Sequence, residues 1–357
     1  MTRPRSPART IAQILELYDD AEACARAAGL RYASVEEPGI RRVRRGRGFS
    51  YRTPTGRAVS TAVRNRIDSL VIPPGWQNVW ICSADDAHLM ATGEDERGRT
   101  QYLYSERWRQ FRDELNFYRL IDFGPRLSAV RADVELQLRR RTLDRELVLG
   151  VMLRVIDARG LRVGSESYAE ENESYGLSTL MKRHVQVHGR EVRFSFPAKS
   201  GKPAVVTLRE PAVARVVSRL AQQRGRRLFT VGGKSIGAED VNERLAELAG
   251  ARVSAKDFRT WHGTRVAFAA LRKHLPPAQD AETRVLDAVD AAAQFLGNTR
   301  TVAREHYVHP HVIGAYLDGS FPALLAARRP IRAARLDADE RALVPFLRTL
   351  LARVLPS

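Results

Sequence analysis

A change of pattern near residue 105 constrains the fold of this chain more than any other feature of its sequence. Between about Leu30 and Tyr104, short runs of β-forming residues are separated by turn signals rich in Pro and Gly. After Ser105, apolar residues recur with the helical period over long stretches. A strand-rich first domain, residues 1–104, is therefore predicted to precede a mainly helical second domain, residues 105–357.

In the first domain the pattern predicts one helix followed by short strands. The helix is predicted within the segment from Ile11 to Leu30, where Gly29 is the signal for its end. The predicted strands are Ile40 to Arg45, Gly48 to Arg52, Asn78 to Cys82, His88 to Thr92 and Thr100 to Tyr104. This part of the chain is predicted to be a small β-sheet-plus-helix domain.

The second domain shows helical periodicity with one β-rich interruption, from Val185 to Leu208. Turn signals at Gly189-Arg190 and Ser200-Gly201 predict a β-hairpin or a three-stranded sheet there. The predicted helices are Glu106 to Leu120, Val130 to Arg141, Leu143 to Arg159, Glu210 to Arg224, Ala238 to Leu248, Lys256 to His274, Glu282 to Leu296 and Glu340 to Val354. The predicted fold class is therefore α+β.

The charge of the chain points to polyanionic partners. Lys and Arg total 59 against 41 Asp and Glu, a formal net charge of +18. Such an excess favours nucleic acid, and the arginine-rich run Arg41 to Arg47 is interpreted as a phosphate-binding strand. No signal peptide, lipidation signal or apolar run of roughly 20 residues is present, so a cytoplasmic protein is expected.

The cysteines and histidines do not predict a metal site. Cys24 and Cys82 are far apart and lack zinc-type spacing, so both are expected to be buried, reduced thiols. His306 and His309 flank Tyr307 without an acidic residue at ligand spacing. No metal or other cofactor is expected.

Separated short motifs of the second domain become meaningful when they are taken together. They are Leu161 to Gly164, Phe196 to Gly201, Asp257 to Trp261, Gly297 to Thr299 and Arg304 to Tyr307. A lone Arg-x-Gly carries no information, but five ordered motifs with one tyrosine correctly placed in the last of them are a specific signal.

These motifs resemble the catalytic motifs of the type IB DNA topoisomerases, specifically the compact poxvirus-like and bacterial branch. The longest similarity runs from Arg162 to Asn172 and continues through Gly176 to Leu180, with the family's Arg-x-Gly, Tyr, Glu-Asn and Gly-Leu-x-Thr-Leu spacing. A second lies at Gly98 to Tyr104, which resembles the family's DNA-reading strand. The resemblance extends from about residue 40 to about residue 310.

The resemblance implies a catalytic set in which Tyr307 attacks a backbone phosphate. Near its reference pKa of about 10, a phenol is only about one part in a thousand ionised at pH 7, so cationic neighbours are needed. Arg162 and Arg259 would stabilise charge on the non-bridging oxygens through paired hydrogen bonds. Lys199 would protonate the departing 5′ oxygen. Asn298 stands where many family members have histidine, and its amide can donate a hydrogen bond but cannot act as an acid.

The resemblance also implies how DNA is held. Gln101, Tyr102 and Tyr104 would lie on a strand in the major groove, and Tyr168 would contact the DNA backbone. The two domains would form a clamp around double-stranded DNA. The protein is expected to act as a monomer in the cytoplasm, associated with the nucleoid.

Other interpretations stay open from the sequence alone. Lys202 competes with Lys199, Asn298 fits a helix C-cap, and His262 fits either a packing role or a DNA-backbone contact. A tyrosine recombinase uses similar residues but needs a protein assembly. Charge alone would also suit a DNA-architectural protein without catalysis.

Overall fold

The computed structural model describes residues 11–166, 169, 173–250, 253–275 and 280–354. Within this part the chain forms two compact units, which divide between Tyr118 and Arg119. The first unit therefore includes the helix that begins at Glu106, beyond the boundary expected at Tyr104. That helix belongs to it because Trp108 packs edge-on against His88, with ring centroids 4.7 Å apart.

The first unit contains a five-stranded antiparallel sheet with strand order β2-β1-β3-β4-β5. Its strands are β1 (Ile40–Arg45), β2 (Gly48–Arg52), β3 (Gln77–Ile81), β4 (Leu89–Glu94) and β5 (Thr100–Tyr104). Its helices are α1 (Ile11–Asp19), α2 (Ala21–Ala27), α3 (Thr61–Ser69) and α4 (Glu106–Tyr118). The predicted strands are confirmed, with ends that differ by at most two residues for β3 and β4.

Two helix predictions in this unit were wrong. The single helix from Ile11 to Leu30 is two helices, because the Asp20 side chain accepts a hydrogen bond from the Ala23 amide and caps a new helix. Helix α3 was missed because only Ile67 of its nine residues is buried, which leaves little apolar periodicity.

The sheet buries apolar residues on both faces, and the period-two alternation of strands sends successive residues of β3 to opposite faces. On β3, Val79 and Ile81 pack into one cluster, whereas Trp80 lies in the other with Cys82 just beyond the strand. Cys24 and Cys82 are both buried, and neither forms a disulfide bond, as expected.

The second unit is mainly helical and carries the antiparallel sheet β6-β7-β8. The strands are β6 (Val185–His188), β7 (Glu191–Pro197) and β8 (Pro203–Arg209), and a short pair is formed by β9 (Thr230–Val231) and β10 (Lys234–Ser235). The helices are α5 (Leu120–Leu138), α6 (Arg145–Arg159), α7 (Pro211–Ala221), α8 (Ala238–Ala249), α9 (Ala255–Arg272), α10 (Ala281–Leu296), α11 (Arg300–His306), α12 (Pro310–Leu317), α13 (Phe321–Ala326) and α14 (Ala338–Val354). The predicted α+β class and the inserted sheet are confirmed.

Helix α5 begins at Leu120 instead of Val130 and continues through Pro125. Gly124 and Pro125 are poor helix formers, so local preference hid the first turns. Tertiary packing requires the glycine, because a Cβ at Gly124 would lie 2.5 Å from the Trp261 ring. Helices α11 to α13 were also missed, because each is too short to show a clear period.

A buried ion network joins four helices of the second unit. Arg131 of α5 bonds both carboxylate oxygens of Asp157 on α6, at 2.7 and 2.9 Å, and both of Glu340 on α14, at 2.6 and 2.8 Å. Glu340 in turn accepts a hydrogen bond from the Trp261 indole of α9 at 3.1 Å. Helix α9 is therefore connected through Trp261 to a buried network in which the charge of Arg131 is paired with two carboxylates.

Among the described residues, no helix combines the length and apolar character that a membrane span would need. The same residues contain no group of three or more His, Cys, Asp or Glu side chains placed to hold a metal ion.

Candidate active site

Arg162 lies just beyond the end of α6, in a segment whose main chain is held by two hydrogen bonds. The amide of Leu177 donates to the Arg162 carbonyl at 2.8 Å, and that of Ser178 donates to the Val163 carbonyl at 2.7 Å. Gly164, at φ 95°, passes so close to Gly176 that a Cβ on it would lie 2.9 Å from the Gly176 Cα. The glycine of the Arg-x-Gly motif is therefore needed for this close approach of two main chains.

The side chain of Asn298 contacts that of Arg162. The Arg162 guanidinium donates to Asn298 Oδ1 at 2.9 Å, and Asn298 follows the left-handed Gly297 that ends α10. The Asn298 amide N–H also bonds the Ala293 carbonyl at 2.9 Å, so its main chain caps the helix as well. Within the described residues its side-chain Nδ2 is buried and has no hydrogen-bond partner.

Arg259 is buried, with 4% of its surface exposed, and it joins the two segments that carry Arg162 and Asn298. One terminal nitrogen donates to the carbonyl of Gly160, and the other donates to that of Leu296 at 3.1 Å. Each of these carbonyls lies two residues before a candidate phosphate-binding side chain. Arg259 therefore fixes the main chain from which the other two groups project.

Tyr307 stands at the end of α11, with its ring against Arg259. The guanidinium carbon of Arg259 is 4.8 Å from the ring centroid. Burial raises the pKa of the Tyr307 phenol. The charge and hydrogen bonding of Arg259, followed by the charges of Arg162 and Lys256, outweigh burial and hold that pKa below its ordinary value. The same crowding lowers the pKa of Arg259, through burial first and then the charge of Arg162.

The structure brings Arg162, Arg259, Asn298 and Tyr307 together, whereas none of the described hydrogen bonds or ion pairs of this group involves Lys199. Lys199 is exposed in the 3₁₀ turn Lys199–Gly201 between β7 and β8, where Ser200 has a φ of 65°. Its side chain forms no hydrogen bond or ion pair with any part of the chain that the structure describes. Lys202 is equally exposed, so the competition between the two lysines persists.

His262 is a buried packing residue. Its surface is 3% exposed, and its Nε2 lies 3.2 Å from the Asp157 carboxylate in the network behind α9. This environment matches the packing interpretation rather than a contact with DNA.

The candidate DNA-reading residues lie on β5, which is an edge strand. Tyr102 is 54% exposed and stacks against Tyr104, with ring centroids 6.1 Å apart. Gln101 points to the opposite face of the strand, where its side-chain amide donates to Asp95 at 2.9 Å. Tyr168 falls outside the described residues.

The arginines of the run Arg41 to Arg47 differ in their surroundings. Arg42 donates to the carbonyls of Pro73 and Trp76, and its guanidinium lies 4.1 Å from the centre of the Phe49 ring. The other arginines of the run are exposed, and these are available to bind phosphate.

Sequence reasoning missed one basic residue near the candidate nucleophile. Lys256 lies one helical turn before Arg259 on α9 and contributes to the lowered pKa of Tyr307. The spacing of three residues places the two side chains on the same helix face, and this signal was available in the sequence.

Comparisons with known proteins found two family models that match parts of this chain. A family model described as the catalytic core of eukaryotic DNA topoisomerase I matches residues 105–318, and one for the N-terminal domain of bacterial DNA topoisomerase IB matches residues 48–95. The DNA topoisomerase 1B of Acanthamoeba polyphaga mimivirus is 29% identical over 272 residues, which cover 72% of this chain and 81% of the viral protein. The DNA topoisomerase 1B of vaccinia virus strain Copenhagen is 21% identical over 241 residues, 65% of this chain and 74% of its own length.

Proposed function

The chain belongs to the type IB DNA topoisomerases, and on this premise we propose that it relaxes supercoiled duplex DNA by transient cleavage of one strand through Tyr307. The phenolate oxygen attacks a backbone phosphorus, and the bond from phosphorus to the 5′ oxygen breaks. A 3′-phosphotyrosine then stores the energy of the broken bond. The free 5′-hydroxyl end swivels and attacks back, so the reaction requires neither ATP nor a metal ion.

The observation that carries this proposal is the convergence of Arg259, Arg162 and Asn298 beside the Tyr307 ring. The 4.8 Å approach of Arg259 and the 2.9 Å bond between Arg162 and Asn298 supply cationic and amide donors at one place. Negative charge that develops on the non-bridging oxygens would be stabilised by these preorganised groups. The unpartnered Asn298 Nδ2 supports a role as a neutral donor to one of those oxygens.

The departing 5′ oxygen needs a proton, and Lys199 is the proposed donor. It stands at the tip of an exposed hairpin, from which a long side chain can reach a groove of bound DNA. In the free protein its side chain forms no hydrogen bond or ion pair with the other described catalytic groups, so its role in the proposal depends on the bound state. Because general acids often reach their position only in the complex, this geometry is compatible with the assignment.

Double-stranded DNA is the proposed partner of both units, held as in a clamp by a monomeric enzyme. The formal charge of +18 favours this polyanion. Strand β5, with Gln101, Tyr102 and Tyr104, is proposed to enter the major groove, and Tyr168 to contact the backbone. We propose a cytoplasmic location, with the chromosome as the substrate.

One assay separates this function from its rivals. The purified chain is incubated with negatively supercoiled plasmid in EDTA and without ATP, and the products are resolved with and without protein denaturant. Relaxed circles together with a denaturant-trapped covalent adduct are expected. Binding without relaxation would favour an architectural protein, whereas recombinant products would favour a tyrosine recombinase.

A further inference from the structure

The link between α11 and α12 carries the candidate nucleophile, and its main chain is not held by helical hydrogen bonds alone. Tyr307 ends α11 with a non-helical φ of −132°, and α12 begins at Pro310. Between them, the carbonyl of Tyr307 and the amide of His309 both turn toward α9. A segment of this kind needs outside partners if its side chain is to keep one position.

One hydroxyl group serves both of these main-chain groups. Thr264 of α9 is fully buried, and its Oγ1 donates to the Tyr307 carbonyl at 3.1 Å. The same oxygen accepts a hydrogen bond from the His309 amide, also at 3.1 Å. The hydroxyl thus uses its donor and an acceptor site to bridge the two ends of the link.

The residue before it permits the close approach. A Cβ added to Gly263 would lie 2.5 Å from the Tyr307 carbonyl oxygen and 2.9 Å from the Tyr307 Cβ. Gly263 is helical, so the absence of a side chain serves packing rather than an unusual backbone angle. Any larger residue would push the tyrosine away from α9.

Helix α9 therefore contacts Tyr307 at two levels. Arg259 meets the ring, whereas Gly263 and Thr264, little more than one turn further along, meet the main chain. We propose that Thr264, together with Gly263, is a positioning residue that holds the Tyr307 main chain against α9 and so sets the phenol beside Arg259. This inference rests on the proposed role of Tyr307 as the nucleophile.

The position of Tyr307 should affect both the rate of DNA cleavage and the pH at which cleavage occurs. An error of about 1 Å in the position of a reacting group can slow a reaction by about 10²-fold. The charges that face Tyr307 are those of Arg259 and Lys256 on α9 and of Arg162 after α6, and they hold its pKa low against the effect of burial. A tyrosine that drifts from α9 would lose this influence, so its cleavage reaction would require higher pH.

The test compares Thr264→Val, which keeps the shape but removes the hydroxyl, with Thr264→Ser, which keeps the hydroxyl. The matched control is Thr349→Val on α14. The Thr349 hydroxyl donates to the Pro345 carbonyl of its own helix at 3.0 Å, so the same substitution there removes a hydroxyl without changing the link between α11 and α12. Single-turnover cleavage is followed between pH 6 and 10 on a duplex with a leaving strand short enough to dissociate.

We expect Thr264→Val to cleave about 10- to 100-fold more slowly at pH 7, with its pH–rate profile displaced to higher pH. Thr264→Ser and Thr349→Val should stay within about 3-fold of the parent protein, a limit set by a displacement much smaller than 1 Å. Partial unfolding would lower only the fraction of enzyme that reacts, since the rate constant and its pH profile belong to the folded molecules.

A second variant, Gly263→Ala, tests the same idea without removing a hydrogen bond, and it should show the same displaced profile. The inference is overturned if Thr264→Val and Gly263→Ala react with the parent rate constant and pH profile. Tyr307→Phe is run alongside. A covalent adduct in that variant would overturn the proposed function itself, and the inference with it.

Discussion

Arg259 stacks on the ring of Tyr307 at 4.8 Å, while its two terminal nitrogens bond the carbonyls that precede Arg162 and Asn298. A single side chain thus contacts the candidate nucleophile and fixes the segments that carry two other candidate groups. This arrangement predicts that Arg259 cannot be replaced by another cation.

Arg259→Lys should slow DNA cleavage by at least about 10²-fold, because an ammonium group does not reproduce the planar fork of a guanidinium. The matched control is Arg265→Lys on the same helix, whose partner is one carboxylate oxygen of Asp337 at 3.0 Å. Lysine can replace that contact. Single-turnover cleavage rates measure both variants, and similar rates for the two would contradict the structural role of Arg259.

Asn298→Asp should impair cleavage more than Asn298→Ala. The aspartate would keep the acceptor that Arg162 contacts, but it would replace the Nδ2 donor with a negative charge facing the phosphate. The alanine variant loses only one neutral hydrogen bond, a net effect of about 0.5 to 1.5 kcal/mol, or roughly 2- to 12-fold in rate. If the aspartate variant cleaves as fast as the alanine variant, Nδ2 does not face a phosphate oxygen.

The lysine assignment can be tested through the leaving group. Lys199→Ala should slow cleavage by about 10² to 10⁴, the usual contribution of a general acid. Sulfur in place of the 5′ oxygen leaves without a proton, so this substrate should restore much of the rate to Lys199→Ala but not to Arg162→Ala. Lys202→Ala is the control for the neighbouring lysine, and selective rescue of that variant would move the acid role to Lys202.

The buried ion network of Arg131, Asp157 and Glu340 should contribute to the free energy of unfolding. Burial alone would raise the pKa values of Asp157 and Glu340. The contacts of Asp157 with His262 and Arg131, and of Glu340 with Arg131, outweigh this effect, so both carboxyls titrate below their usual range. Groups with depressed pKa values stabilise the fold above the unfolded value of about 4, and this stabilisation is lost as pH falls through the folded values.

Arg131→Ala leaves these two carboxylates buried without their cation, so it should lower the free energy of unfolding by about 3 to 5 kcal/mol at pH 7. Between pH 7 and pH 4 the variant should lose less stability than the parent protein does, because its carboxyls no longer have depressed pKa values. Arg140→Ala removes a more exposed ion pair with Asp144, which solvent screens, so it should destabilise the fold much less than Arg131→Ala does. Denaturant unfolding at several pH values checks both expectations.

Much of this architecture could be predicted because its signals are local. Strands β1, β2 and β5 were predicted to the residue from alternation and turn signals. Helices α8 to α10 were predicted to within two residues at each end from their apolar period. Helix α5 was predicted too short, because the packing of Trp261 against Gly124 is a tertiary effect that local preference opposes. Short helices such as α11 leave too few residues for a period.

The residues of the candidate site could likewise be predicted from local signals, but the contacts that hold them could not. Arg162, Arg259, Asn298 and Tyr307 could be chosen from ordered motifs, and the structure brings them together. What holds them could not be predicted, because the carbonyls of Gly160 and Leu296 and the hydroxyl of Thr264 act through main-chain contacts between distant segments. The reach of Lys199 toward the phosphate depends on DNA, so its role stays a prediction.

The most direct test of the central claim compares the parent protein with Tyr307→Phe on supercoiled plasmid in EDTA, with covalent adducts trapped by denaturant. Only one hydroxyl is lost from a surface dominated by phosphate contacts, so affinity and its log–log salt slope of about −0.9 per neutralised phosphate should not change. The account predicts a phosphotyrosine adduct that maps to Tyr307 in the parent protein and no adduct or relaxation in the variant. An adduct that persists in Tyr307→Phe would contradict it.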